Sequence, residues 1–166
     1  ALIIALQALG VGPGDQVLVP AFTFIASCSA IIALGAEPIF VDIDPKTYGI
    51  DIEQIAAAIG PRTKAIMPVH LFGYPVDVSA IKKITDLPIV EDCAQAHGAK
   101  INGRSVGTIG DVGAWSFCQD KIMTTGGEGG MVTTADEKLW SKMWSYKDHG
   151  KSWNAVYNRE HPPGFR

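Results

Sequence analysis

The chain has 166 residues, 47% of them hydrophobic, enough to bury a sizeable core in one globular domain, and nothing in it reads as disordered or low-complexity. The formal charge of −3, with acids and bases scattered and no basic stripe, excludes an electrostatic footprint for nucleic acid or an anionic membrane. A small molecule is the default ligand, and Cys28, Cys93 and Cys118, odd in number and widely spaced, read as free thiols in a reducing cytoplasm.

The sequence starts at Ala1 with "ALIIALQALG" already in helical periodicity and no capping residue ahead of it, so it reads as the middle of a longer protein. That helix ends at Gly10, and "GVGPGD" turns into the strand "QVLVP". The uncharged run Val17 to Ala36 is long enough to span a bilayer, but Pro20, Thr23, Ser27 and Ser29 interrupt it. A short strand, a turn and a buried helix from about Phe24 to Leu34, closed by Gly35, explain those interruptions better. The strand "PIFVDI" follows. "DIEQIAAAI" is a helix with Asp51 as N-cap, "KAIMPVH" a strand, "DVSAIKKITD" an amphipathic helix and "LPIVED" another strand. After a short loop come "VGAWSF" and "GGMVTT", then a helix from Asp136 to Lys147 with Trp140, Met143 and Trp144 on one side. The tail "SWNAVYNREHPPGFR" reads as a loop with no closing element.

This alternation is the pattern of a βαβ series, an α/β fold with a mostly parallel sheet. Ligands bind such sheets at the carboxyl ends of the strands. The residues placed there are Phe24, His70, Asp92 with Gln95, and Ser116 with Lys121.

Two adjacent carboxylates, Glu91 and Asp92, end one strand, and strand periodicity sends them to opposite faces. Only one of them faces a given pocket; the alternative is that both sit at a solvated strand end or cap the next segment. Lys121 stands between two apolar runs, ahead of the glycines of "GGEGG", where a positive φ or a close backbone approach is allowed. A lysine shielded from water is disfavoured as ammonium, and a neutral amine is a nucleophile toward carbonyls. The glycines precede a strand and match neither GxGxxG nor GxxxxGK[ST], so they form no nucleotide fingerprint. No GxSxG elbow, HExxH motif or Cys/His cluster at metal spacing is present, and His70, His97, His149 and His161 read as loop or core histidines. A carboxylate after one strand and a reactive lysine after the next suit a pyridoxal 5'-phosphate (PLP) site, with no metal.

"PAFTFIAS", "PVHLFGYPVD", "EDCAQAHGA", "GTIGDVGAWSF" and "DKIMTTGGEGGMV", in that order, closely resemble the nucleotide-sugar aminotransferases of PLP fold type I, the DegT/DnrJ family. The resemblance implies a three-layer α/β/α large domain, with residues 1–166 its central part. In that family a phosphate loop precedes the first helix here and a small domain follows Arg166. By resemblance Lys121 is the lysine that forms the Schiff base with PLP and then shuttles protons. Asp92 partners the pyridinium nitrogen, Gln95 lies beside the 3-hydroxyl, Ser116 holds the phosphate and Phe24 stacks on the ring. The implied reaction carries an amino group from glutamate to a keto group of a nucleotide-linked sugar, in a cytoplasmic homodimer. Its product would serve lipopolysaccharide, other cell-surface polysaccharides or antibiotic sugars. A related branch has His in place of the lysine and dehydrates, so Lys121 favours transamination. A PLP-dependent sugar dehydratase and a non-catalytic PLP-binding sensor of the same family are the competing readings.

Overall fold

A computed structural model of the chain describes residues 1–160. Strands and helices alternate through its length: α1 (Leu2–Ala8), β1 (Gln16–Pro20), α2 (Ile25–Ile32), β2 (Glu37–Val41), α3 (Ile52–Ala58), β3 (Thr63–Ile66), α4 (Val78–Ile81) and β4 (Val90–Asp92). A short hairpin, β5 (Lys100–Ile101) and β6 (Arg104–Ser105), precedes β7 (Val112–Ser116), β8 (Gly130–Thr133) and α5 (Glu137–Lys147).

Parallel pairing gives the order β2-β1-β3, and β4-β7-β8 forms the other half, with β8 antiparallel. Parallel bridges Ile66–Ile89 and Val69–Asp92 join β3 to β4, so the halves make one twisted sheet. Side-chain alternation then builds two cores. Val17, Val19, Ala65, Met67, Val90 and Val112 face α1, α2 and Met143 of α5. Leu18, Ile66 and Ile89 point the other way, onto Ile55 of α3 and Val78 and Ile81 of α4. The result is the three-layer α/β/α arrangement.

Most elements fall where the pattern places them. Asp51 caps α3 by accepting from Glu53 N at 3.0 Å, and Asp136 caps α5 by accepting from Lys138 N at 2.7 Å. Val17 to Ala36 folds into β1, a turn and α2, and among the described residues no helix is long and apolar enough to cross a membrane. Three elements are shorter than their sequence suggests, the first being the strand expected over "KAIMPVH", which ends at Ile66, ahead of Pro68. The helix expected over "DVSAIKKITD" stops at Ile81, because it buries only Val78 and Ile81 and its next amides bond three residues back, Lys83 N to Ala80 O and Ile84 N to Ile81 O. "LPIVED" pairs fully only from Val90, since Pro88 has no N–H and the Ile89 N–H goes to the Asp111 side chain at 2.8 Å.

The hairpin β5–β6 has a signal in the sequence, the Asn-Gly pair in "KINGRS". Asn102 at φ 49° and Gly103 at φ 76° give the doubly left-handed turn that matches strand twist. In α5 Met143 is buried in the core and Leu139 packs against it. Trp140 and Trp144 instead pack edge-on against Trp153, at 5.0 and 5.1 Å between ring centroids. The tail read as loop holds a π-turn at Asn154–Asn158, which carries Tyr157 onto Trp153; residues 161–166 of that tail lie outside the described part.

Ile66 lies at 0% exposure in the sheet core. Ile66→Ala is expected to lower unfolding free energy by about 2–5 kcal/mol, read from the shift in denaturant midpoint.

Candidate functional site

A cleft of about 670 Å³ opens at the carboxyl ends of β1, β3, β4 and β7, beside the point where strand order reverses between β1 and β3. Phe24, Asp92, Gln95, Ser116 and Lys121 all line it. Three separate stretches of chain bring them there. Phe24 is the N-cap residue of α2, Asp92 ends β4, Gln95 lies in the turn after it, and Ser116 ends β7 ahead of the Lys121 loop.

Asp92 is 4% exposed and held through both oxygens: Oδ2 accepts from the Ser27 hydroxyl at 2.8 Å and Oδ1 from Ala94 N at 3.1 Å. Burial pushes its carboxyl above the usual range, against the pull of those two donors and of the Lys121 charge. A carboxylate so desolvated gains from a cationic or N–H partner arriving in the cleft.

Glu91 is wholly buried on the opposite face, where Oε1 accepts from Ile109 N and Gly110 N at 2.7 and 2.6 Å and Oε2 from Gly107 N at 2.8 Å. Oε2 also meets His70 Nε2 at 2.9 Å. Because Val76 N donates to His70 Nδ1 at 3.0 Å, the ring proton sits on Nε2 and is donated to Glu91. Burial alone would raise the Glu91 carboxyl, but hydrogen bonds from His70 and from the Gly110 and Gly107 amides outweigh it and leave the group below its ordinary value. The two carboxylates therefore diverge as strand periodicity requires, and neither is at a solvated end.

His70, placed by its sequence among the strand-end candidates, is completely buried and does not line the cleft. Glu91 and Cys93 lie close enough to it to suggest a metal cluster, but both imidazole nitrogens are already engaged. Burial and the neighbouring Glu91 and Asp92 charges push the Cys93 thiol far up, so it is an inert packing group. All three cysteines are free.

The other half of the cleft is looser. Ser116 Oγ accepts from Cys118 N at 3.4 Å, which leaves its O–H free to donate. Gln95 Oε1 accepts from Phe72 N at 2.8 Å, which leaves its NH₂ free. Lys121 has 18% of its side chain exposed, with Nζ 3.6 Å from Asp120 Oδ1, which also takes the Cys118 thiol at 2.9 Å. The glycines behind it serve the backbone. Gly126 adopts φ +78°, and a Cβ on Gly130 would lie 2.8 Å from the Trp115 carbonyl, across the β7–β8 pairing that carries Ser116. "SYKDHGKSW", a candidate substrate-side loop by sequence, does not line the cleft.

Sequence reasoning missed Thr23 and Ser27, whose hydroxyls lie 3.0 Å apart on the cleft wall. The signal was present: Ser27 follows Phe24 by three positions, one helical turn on the same face.

The chain is similar to several solved and curated proteins. An aminotransferase from Psychrobacter cryohalolentis matches with 60% identity and a TM-score of 0.93, over 99% of this chain and 42% of that one. NtdA from Bacillus subtilis, solved with bound pyridoxamine phosphate (PMP), matches at 37% identity and TM-score 0.86, over 99% and 38%. A UDP-N-acetyl-3-dehydro-α-D-glucosamine 3-aminotransferase from Acidithiobacillus ferrooxidans is 50% identical over 161 residues, 95% of this chain and 43% of its own length. The chain thus spans less than half the length of the relatives it matches. Fold and neighbours give the chain the three-layer architecture of PLP fold type I. It belongs to the DegT/DnrJ/EryC1/StrS aminotransferase family, whose model matches residues 1–166.

The depressed Glu91 carboxyl has a pH signature. Its anion stabilises the fold above the unfolded value of about 4.3, and that contribution is lost as pH falls through the lower folded value. Glu91→Gln places an N–H donor against backbone amides and should cost about 1–3 kcal/mol at neutral pH. Thermal melts of the two proteins from pH 7 down to pH 3 should show this deficit shrinking below about pH 4.

Proposed function

We propose that the chain is the central part of the cofactor-binding domain of a PLP-dependent aminotransferase. In this reading an amino group passes from an amino acid, glutamate, to the keto group of a nucleotide-linked sugar, within a cytoplasmic homodimer that supplies amino sugars. The observation that carries it is the convergence of Asp92, Gln95, Ser116, Phe24 and Lys121 on one cleft from three separate stretches of chain. The name of the Acidithiobacillus relative supports a sugar nucleotide as acceptor, and the bound cofactor of NtdA supports PLP.

The donor set fits that cofactor. Asp92 offers a buried acceptor for a ring N–H, Gln95 a free amide N–H for a phenolic oxygen, and Ser116 a free hydroxyl for a phosphate oxygen. Phe24, 68% exposed at the cleft wall, offers a flat apolar face for a ring. When bound, PLP supplies an aldehyde that captures an amine and a protonated ring that takes up an electron pair. Asp92 holds the proton at the ring nitrogen. Among the described residues Lys121 is the one lysine lining the cleft, and its Nζ takes a proton from the α-carbon of the donor and returns one, as general base and then acid. Val69, Leu71, Ala30 and Ala114 give the cleft apolar walls that limit water around these transfers.

The test uses the full-length protein with PLP, glutamate and a panel of keto-sugar nucleotides. Glutamate should shift the visible absorbance of the bound cofactor, and an accepted sugar should release 2-oxoglutarate in stoichiometric amount. Lys121→Ala should lower turnover by about 10²–10⁴-fold. Full turnover in that variant would sink the assignment. Loss of water from the sugar without 2-oxoglutarate would identify a dehydratase, and PLP binding with no product from any sugar would identify a sensor.

A further inference from the structure

Asp92 is gripped by a hydroxyl chain from α2. Thr23 Oγ1 and Ser27 Oγ are 3.0 Å apart, and Ser27 Oγ donates to Asp92 Oδ2 at 2.8 Å across 65 residues of sequence. A serine hydroxyl has one proton, so with that proton on Asp92 the Thr23 hydroxyl must donate to Ser27. The chain therefore has a direction, Thr23 to Ser27 to Asp92. Ser27 is 1% exposed, yet its backbone belongs to the first turn of a helix whose side chains there line the cleft. Buried helix positions are ordinarily apolar, and Ala30 on the same wall is.

We propose that Ser27, itself oriented by Thr23, is a positioning residue that aims the Asp92 carboxylate into the cleft and keeps it an acceptor toward the cofactor ring nitrogen. The inference rests on the PLP reading above and goes beyond it. Asp92 has two protein donors, one per oxygen. Ala94 N is part of the backbone turn and holds Oδ1 in any variant. Ser27 alone fixes Oδ2, and with it the rotation of the carboxylate plane. It also supplies one of the donors that oppose the effect of burial on this group. The charged and titratable groups around Asp92 are Lys121 across the cleft, His70 on the β3 side and Glu91 and Cys93 on its own strand. His70 and Glu91 are engaged with each other, so neither replaces Ser27.

The experiment loads full-length parent, Ser27→Ala, Ser27→Thr and Asp92→Asn proteins with PLP labelled with ¹⁵N in the ring. The ring-nitrogen chemical shift is read across pH beside kcat, KM for the donor, and melting temperature. The parent should show a protonated ring nitrogen, and Asp92→Asn a neutral one. Ser27→Ala should move the shift toward the neutral form, lower the pH at which the ring nitrogen loses its proton, and reduce kcat about tenfold with little change in KM. Ser27→Thr, which keeps the hydroxyl, should restore all three. A Ser27→Ala protein whose ring nitrogen titrates as in the parent would overturn the role of Ser27, even if its melting temperature falls, provided Asp92→Asn does shift it. A parent that binds no PLP, or an Asp92→Asn protein with an unchanged ring nitrogen, would overturn the PLP assignment of Asp92 and this inference together.

Discussion

The site depends on two neighbouring carboxylates whose environments at the end of β4 are opposite in kind. Strand geometry forces Glu91 and Asp92 apart, one into each face of the sheet. Glu91 meets three backbone amides and an imidazole N–H, enough donors to offset the cost of burying a charge. Those amides belong to the loop that leads into β7, and the imidazole belongs to the segment that leaves β3. Glu91 thereby ties together the strands on both sides of β4. Asp92, one residue on, meets two donors among the described residues and lines the cleft. One carboxylate is spent on holding the strand ends in register, and the other is left under-coordinated in a place that its neighbour has made rigid.

This division explains why His70 is buried rather than exposed in the cleft. Its backbone N–H donates to Asp92 O at 3.0 Å and its ring to Glu91, so the same residue supports both members of the pair. From there the chain turns through Phe72, at φ 56°, whose amide is satisfied by Gln95 Oε1. A left-handed conformation at a residue with a large side chain is costly and persists only where surrounding bonds impose it. Here the imposing bond also sets which end of the Gln95 amide faces the cleft.

Local patterns in the chain foretold much of this. "QVLVP" is β1 residue for residue, and Asp51 and Asp136 cap helices because an aspartate ahead of an amphipathic run can satisfy first-turn amides. That Asp92 rather than Glu91 faces the cleft followed from the family resemblance, since periodicity alone left the choice open. What stayed hidden depends on partners far away in sequence. The Ile89 amide leaves the ladder for a side chain 22 positions on, and Ser27 meets a carboxylate 65 positions on; neither distance leaves a periodic trace. Trp140 and Trp144 share the helix side of Met143, yet their packing partner, Trp153, lies beyond the helix in a segment with no regular period. The Asn-Gly turn of β5–β6 was local and legible, but strands of two residues are too short to show alternation.

The two walls of the cleft differ in how firmly hydrogen bonds hold their side chains, for a chemical reason. On the β4 wall, the Asp92 carboxylate is fixed by hydrogen bonds at both oxygens and by strands packed on both faces. A group that holds one proton at one atom works best in a single orientation, since any reorganisation adds to the barrier. On the opposite wall, Lys121 sits in a loop that rejoins the sheet through Gly126 and Gly130, and among the described residues the one carboxylate within 4 Å of its Nζ is that of exposed Asp120. In the function proposed above Lys121 collects a proton at one carbon and delivers it at another, which needs reach, and a long side chain on a loop bordered by glycines provides it. Tightening the Lys121 loop would therefore cost the site its moving part, whereas loosening the Asp92 wall would cost its fixed reference.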